Sequence, residues 1–461
     1  MAAQLRLPPR ARARRCRQVS QDRCQSGADR MIDLPQLEQF RVEDAGRGLV
    51  HLVFDCPGRT MNVFSEAAIM ELGAFAGWLA SADVAGVVIR SGKANAFCAG
   101  ADLTELGVAY DMIMAAPTRA RFNLAFDHFF RLSKAIRALE TAGKPVAAAI
   151  EGIALGGGCE LALGAHHRVL VDDPKIAMGL PESLVGLLPG AGGTQRLPRL
   201  IGAQAALPIV LAGQRLGSQA ALDAGLVDRL VPPGEAIAAA ETWLLANPDA
   251  RQPWDQPSWQ PQSPATVGEV VAPARERVLG ETLGHYPAPL AILECIEFGL
   301  PQAFEGAIRS EMAIFAELIQ REEARNMIQT LFVGKTDYER LTRKDQVPDF
   351  VPEIVAAARS AIRAIPDVTR AMAGFAGCVA GVDPVRARTQ PGYWLDGAFA
   401  TAQAARQALA AVSDAVAPLS EGLESDERRL ADYAVVKEAG YPAYLGGPFT
   451  YAARSKKEFA E

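Results

Sequence analysis

Two hydrophobic periods divide this chain. Up to about residue 235, short β-branched runs alternate with stretches whose apolar residues recur every three or four positions. Leu49–Phe54, Ala85–Arg90, Pro145–Ile150 and Arg168–Val171 predict strands, and Ser65–Leu79 and Thr118–Glu140 predict helices between them. Strands separated by helices of about ten or more residues argue for βαβ units. Glycine-rich turns after such strands put ligand sites at the strands' C-terminal ends. Beyond residue 235 the strand pattern stops. Leu290–Leu300, Phe304–Phe332, Phe350–Ala364 and Tyr393–Val416 all carry helical spacing, and the tail is broken at Gly440-Tyr441-Pro442 and Gly446-Gly447-Pro448. Pro253 to Pro264, rich in Pro, Gln and Trp, reads as a surface linker. The pattern therefore predicts an α/β region followed by an all-helical one, with the change near residue 260.

Composition narrows the class only a little. The chain has 461 residues, 49% of them hydrophobic and 22% charged, as in ordinary globular proteins. A formal net charge of -6 makes nucleic acid a poor partner. No apolar run reaches the ~20 residues that span a bilayer. The seven cysteines are scattered without metal-ligand spacing, which suits free thiols in a reducing compartment and predicts no metal site. Residues 1–30 hold eight arginines and lack the apolar core of a secretory signal. Three readings of that stretch stay open: a disordered extension upstream of a true start at Met31, an organelle transit peptide, and a functional basic arm. The expected location is the cytoplasm, or the mitochondrial matrix if residues 1–30 are a transit peptide.

Candidate chemistry gathers at four glycine-containing turns. Phe97-Cys98-Ala99-Gly100-Ala101-Asp102-Leu103 follows the second predicted strand, and its small residues allow a ligand close to the backbone. Ile153-Ala154-Leu155-Gly156-Gly157-Gly158-Cys159-Glu160 follows the third and opens a helix, whose first amides favour negative charge. Two such donors converging on one carbonyl oxygen make an oxyanion hole. Glu160 and, in Gly179-Leu180-Pro181-Glu182, Glu182 are carboxylates in apolar sequence. Burial there raises a carboxyl pKa and prepares an acid and a base. Leu188-Pro189-Gly190-Ala191-Gly192-Gly193-Thr194 completes the set. Each motif alone has an ordinary explanation: a tight corner for the glycines, a solvated first helical turn for the glutamates. Asp102 reads either as a cap of the turn Leu103–Gly107 or as a direct participant. Cys98 and Cys159 read as packing residues, and His166-His167 as a structural pair whose rings point apart. For Arg59 an ordinary surface residue and a ligand contact stay equally open.

Taken together, the four motifs resemble the crotonase (enoyl-CoA hydratase/isomerase) family over about residues 40–235. The resemblance implies a ββα spiral core. It also implies that the amides of Ala101 and Gly157 bind the thioester oxygen of an acyl-CoA, and that Glu160 and Glu182 hold the catalytic water. Ala99, Asp102, Leu103 and Gly190 are then expected to line the substrate site. Having both carboxylates favours hydration of a 2-enoyl-CoA over isomerisation, which can work with one. An isomerase, another acyl-CoA lyase or hydrolase, and a non-catalytic interaction subunit are the alternatives.

Glu322-Glu323-Ala324-Arg325-Asn326-Met327-Ile328-Gln329-Thr330-Leu331-Phe332 resembles the segment joining hydratase to dehydrogenase in multifunctional fatty-acid oxidation α-subunits. Gly440–Phe449 resembles the C-terminal helices of 3-hydroxyacyl-CoA dehydrogenases. In that family a Rossmann domain lies between the two. Here no GxGxxG follows a strand after residue 330, and about a hundred residues are too few for it. The expected cofactor is therefore none, with no NAD binding and CoA present only as part of the substrate. Four regions are expected: 1–30, an Arg-rich extension; 31–260, the catalytic domain; 261–345, a helical extension; and 346–461, a helical region like a dehydrogenase tail. Family resemblance also implies a homo-oligomer, with a trimer as the first expectation, and a thiolase or dehydrogenase as a conceivable partner.

Overall fold

A computed structural model describes residues 33–94, 96–375 and 400–458. The Arg-rich stretch 1–30 falls outside those residues, as does Cys378. The chain begins with an antiparallel pair, β1 (Phe40–Gly46) and β2 (Leu49–Phe54), whose register runs from Phe40 opposite Phe54 to Gly46 opposite Leu49. Gly46 and Gly48 take positive φ in the turn between them. β3 (Gly86–Ser91), β5 (Val146–Ile150), β7 (His167–Val171) and β9 (Arg229–Val231) add to β2 in parallel, giving a six-stranded sheet in the order β1-β2-β3-β5-β7-β9. Both faces of its centre are covered, and Val146–Ile150 is accordingly buried along its whole length.

A second, smaller sheet is built from strands too short for periodicity to detect. β4 (Ala96–Cys98), β6 (Ile153–Leu155) and β8 (Met178–Gly179) pair in parallel. Each follows a strand of the large sheet, so the chain repeats large-sheet strand, small-sheet strand, helix. This is a crotonase-type ββα spiral. The predicted helices are α1 (Glu66–Leu79) and α3 (Thr118–Glu140), packed on each other. The segment read as a turn after Asp102 is instead a full helix, α2 (Leu103–Ala115). Asp102 starts it by accepting from the Thr104 and Glu105 amides at 3.0 and 3.4 Å.

From β9 onward the described chain is helical. The segment expected to be a surface linker is partly packed: Trp254 is buried and stacks on Phe304 with ring centroids 4.8 Å apart, while Gln256–Ser258 are exposed. Asp255 is gripped by both terminal nitrogens of Arg137, at 2.7 and 2.6 Å. An apolar ring and a bidentate ion pair hold this stretch where composition suggested mobility. The described residues from Pro35 on belong to one compact unit.

Three helices, α9 (Pro264–Thr282), α10 (Pro287–Gly299) and α11 (Phe304–Leu318), pack in sequence, and α11 lies against α3. The single helix expected over Phe304–Phe332 is broken. α11 ends at Leu318, Arg321 is extended, and α12 (Glu322–Met327) runs directly into a π-helical segment, Ile328–Gly334. Helices Phe350–Ala364, Ala400–Val416 and Ser425–Ala439 enclose a second apolar core around Ile354, Leu409, Val412 and Ala434. No helix among the described residues is long and apolar enough to cross a membrane.

Candidate active site

Backbone amides of the first two motifs meet at the C-terminal ends of β4 and β6. Phe64 donates to Gly100 O at 2.8 Å and accepts from Asp102 N at 3.0 Å, forming a parallel bridge with Ala101. In that pattern the N–H of Ala101 itself points to the opposite edge. Gly156 (φ +55°) turns the chain sharply into α4 (Gly157–Gly164), donating to Gly179 O at 3.0 Å. The Gly157 amide is in the first turn of α4 and has no preceding helical carbonyl to bond. The two backbones are in near contact: a Cβ on Gly100 would lie 3.6 Å from Gly157 N. Both Ala101 and Gly157 line one cavity.

Gly158 fixes this approach. A Cβ there would stand 2.3 Å from Cys98 O, so α4 can begin against β4 only with glycine at this position. Gly158→Ala is expected to destabilise the fold by about 1–3 kcal/mol. If Gly157 serves the oxyanion hole as expected from the sequence, lifting its amide off line should also lower kcat by up to about 100-fold. Urea midpoints and steady-state kinetics on the same preparation check both; an alanine variant with wild-type kcat would contradict the assignment of that amide.

Glu160 lies one turn along α4 and is 2% exposed. Its Oε1 accepts from Ala191 N and Gly193 N, each at 2.7 Å, in the turn leading to α5 (Gly193–Ile201). Burial pushes its pKa up to about 7, against the opposing pull of the two amides and Arg196. Glu182 begins a short 3-10 turn, Glu182–Val185. A Cβ on Gly156 would fall 2.9 Å from Glu182 Oε1, so this carboxylate sits directly over the glycine turn. Its Oε2 is buried and finds no hydrogen-bond partner among the described residues. Burial, then the neighbouring charges of Glu160 and Glu311, hold its pKa well above the usual carboxylate range. The pair thus favours one ionised and one protonated carboxyl.

The cavity measures ≈ 1170 Å³, above the few hundred to ~1,000 Å³ of ordinary small-molecule sites. Ala99, Leu103 and Gly190 line it with both glutamates. Asp102 reaches it too, but one of its oxygens caps α2 and the other meets Arg59 at 2.5 Å. Leu331 and Phe332 of the π-helical segment form another part of the wall, as do Tyr433, Val436 and Lys437 of helix Ser425–Ala439. The tertiary fold brings them to the cavity: Leu331 and Phe332 stand out in the sequence only as part of a joining segment, and Tyr433, Val436 and Lys437 do not stand out at all.

The same holds for Glu311 on α11, which sequence reading missed. It is fully buried and bonds Gly192 N at 2.7 Å, Thr194 N at 3.1 Å and the Thr194 hydroxyl. Arg196 supports this turn from below, donating to Ala191 O at 2.8 Å while pairing with Glu140 at 2.9 Å. Cys98 and Cys159 are buried, and burial pushes the Cys98 thiol up to about 12 and Cys159 higher still. Thiols held so far from the thiolate form are inert packing groups. The rings of His166 and His167 part as expected: His166 links Val146 N and Glu140 O, whereas His167 stacks on Trp243.

Residues 45–252 match the model of the family described as enoyl-CoA hydratase/isomerase. This chain carries an enoyl-CoA hydratase/isomerase domain. It is 36% identical over 307 residues to the fatty acid oxidation complex subunit alpha of Shewanella amazonensis, covering 66% of this chain and 42% of that protein. Against the subunit of the same name from Idiomarina loihiensis the identity is 33% over 326 residues, 70% of this chain and 44% of the relative. The matched stretch thus spans less than half the length of these curated relatives. Among solved structures, Pseudomonas aeruginosa DspI is 30% identical and aligns with 54% of this chain and 91% of its own, at a TM-score of 0.40. The four glycine-containing motifs all lie within the matched stretch, whereas Glu322–Phe332, Gly440–Phe449 and Glu311 lie outside it.

Proposed function

We propose that the hydratase/isomerase domain adds water to a 2-enoyl-CoA to give a 3-hydroxyacyl-CoA, as a hydro-lyase of fatty-acid β-oxidation. The observation that carries this reading is the meeting, in one cavity, of Glu160, which is buried, and Glu182, whose Oε2 is buried, with the Ala101 and Gly157 backbone. The amides of Ala101 and Gly157 donate to the thioester oxygen and stabilise negative charge developing on it. Glu160, held by two amides, takes a proton from water. The water oxygen bonds to the β-carbon, the π electrons move toward the thioester, and Glu182 gives its proton to the α-carbon. The cycle leaves Glu160 protonated and Glu182 ionised, and proton exchange between them or with solvent resets the pair.

The reading asks for no metal and no dinucleotide, since every proton and charge is handled by these four groups. A cytoplasmic location fits it. The relatives are named as subunits of a complex, and extending that name to this chain suggests association with a further β-oxidation enzyme, a thiolase or a dehydrogenase.

A hydration assay from crotonyl-CoA to long-chain enoyl-CoA tests the proposal. The rate is expected to rise with pH through about 7 as Glu160 ionises, then fall at higher pH as Glu182 loses its proton. Because the carboxyls interact, the two limbs belong to the pair. Turnover indistinguishable from the uncatalysed rate at every chain length would sink the hydratase reading.

A further inference from the structure

The turn that holds Glu160 is held in its own right from the other side. Four consecutive backbone amides, Ala191 to Thr194, alternate between two buried carboxylates. Those of Ala191 and Gly193 go to Glu160, and those of Gly192 and Thr194 go to Glu311. Gly192 stands at φ +95°, a conformation that puts neighbouring amides on opposite sides and favours glycine. The turn is therefore a short partition with a carboxylate on each face. Glu160 and Glu182 line the cavity, whereas Met312 and Phe315, but not Glu311, are the wall residues contributed by α11.

Capping α5 does not by itself account for a second carboxylate. Glu160 already supplies negative charge to that helix terminus through the Gly193 amide. A fully buried acid is costly, and burial together with the charge on Glu160 pushes Glu311 up to about 8. Serine, threonine or asparagine could accept one amide more cheaply. What a carboxylate supplies here is two acceptor oxygens at once, one on Gly192 and one on Thr194, with the Thr194 hydroxyl and Gln195 carrying the chain of bonds on to Cys295 O. That chain ends on α10, so the turn is anchored to the helices beyond the domain matched to the family.

We propose that Glu311 is a positioning residue: by clamping the Gly192 and Thr194 amides it orients the Ala191 and Gly193 amides, and so fixes the carboxylate of Glu160 for reaction. Its kinetic consequence rests on the hydratase reading; its structural consequence does not. In Glu311→Gln one side-chain oxygen is replaced by an NH2 group that faces an N–H donor, so one of the two clamps is lost without a change in size.

Amide hydrogen exchange on the full chain without substrate tests the structural part. In Glu311→Gln, protection is expected to fall at least about tenfold at Gly192 and Thr194, and also at Ala191 and Gly193, which bond Glu160 rather than Glu311. Loss confined to Gly192 and Thr194 would overturn the proposal, because the turn would then not transmit to Glu160. Should the glutamine variant fold poorly, Glu311→Asp, which keeps the carboxyl group on a side chain one methylene shorter, carries the same comparison.

The kinetic part follows in the hydration assay. Glu311→Gln should lose at least about tenfold in kcat with KM changed less than about threefold, since it acts on the reacting groups and not on substrate affinity. In a Glu160→Gln background the same substitution should change kcat by less than about twofold; independent, multiplying losses would overturn the assignment. If no enoyl-CoA is hydrated by the wild type, the functional reading fails and the exchange pattern still decides the role of Glu311.

Discussion

Glu182→Gln is expected to leave a folded protein that has lost about 100- to 10,000-fold in kcat, with KM little altered. The substitution keeps the shape over Gly156 and removes the proton that the α-carbon must receive. Since Glu182 Oε2 has no hydrogen-bond partner among the described residues, its loss breaks no structural bond. Removing an acid whose pKa is held high by burial and then by its neighbours is not expected to destabilise the fold. Glu160→Gln should lose a comparable factor for a different reason. Its amide cannot serve as base, and depending on its rotamer its NH2 opposes the Ala191 and Gly193 donors. Product mass, measured for both variants, separates hydration, which adds one water, from double-bond migration, which leaves the mass unchanged. A Glu160→Gln variant near wild-type activity beside an inactive Glu182→Gln would point to an isomerase.

Arg196→Leu is expected to cost about 3–5 kcal/mol of folding stability, read as a shift of the urea midpoint. Arg196 and Glu140 are both fully buried, and the guanidinium meets the carboxylate through Nε at 3.2 Å and a terminal nitrogen at 2.9 Å. Leucine would leave Glu140 with the 3.0 Å contact to Arg137, which is itself shared with Asp255 and Glu305. It would also strand Ala191 O, now bonded to Arg196 at 2.8 Å. Glu140→Leu in the same chain should recover part of the loss, because the unpaired buried charge is then gone. A single variant with an unchanged midpoint would show that water or rearrangement relieves Glu140.

The large sheet, the long helices and the two carboxylates could be read from the chain because each is written locally. Val146–Ile150 is apolar throughout because both its faces are covered, and Glu160 and Glu182 stand out against apolar neighbours. The small sheet could not be read, since two or three residues carry no period. Gly158 was visible as flexibility, yet its function is contact: the carbonyl of Cys98 occupies the place of a side chain. Glu311 was illegible for another reason. It is one acid among several on an amphipathic helix, and only the packing of α11 against the 190–194 turn separates it from Glu305 or Glu317, which face solvent. The expected linker misled in the opposite sense, because composition reports solubility and not whether Trp254 finds Phe304.

The wall formed by Tyr433, Val436 and Lys437 gives the tail of the chain a say in what the hydratase/isomerase domain can accommodate. Substrate range and chemistry are then written in separate stretches of sequence more than two hundred residues apart. On the proposed hydratase reading, variation in the late helices would retune which acyl groups fit while Glu160 and Glu182 stay untouched. A chain cut back to its recognisable domain would keep both carboxyls and lose part of the vessel around them.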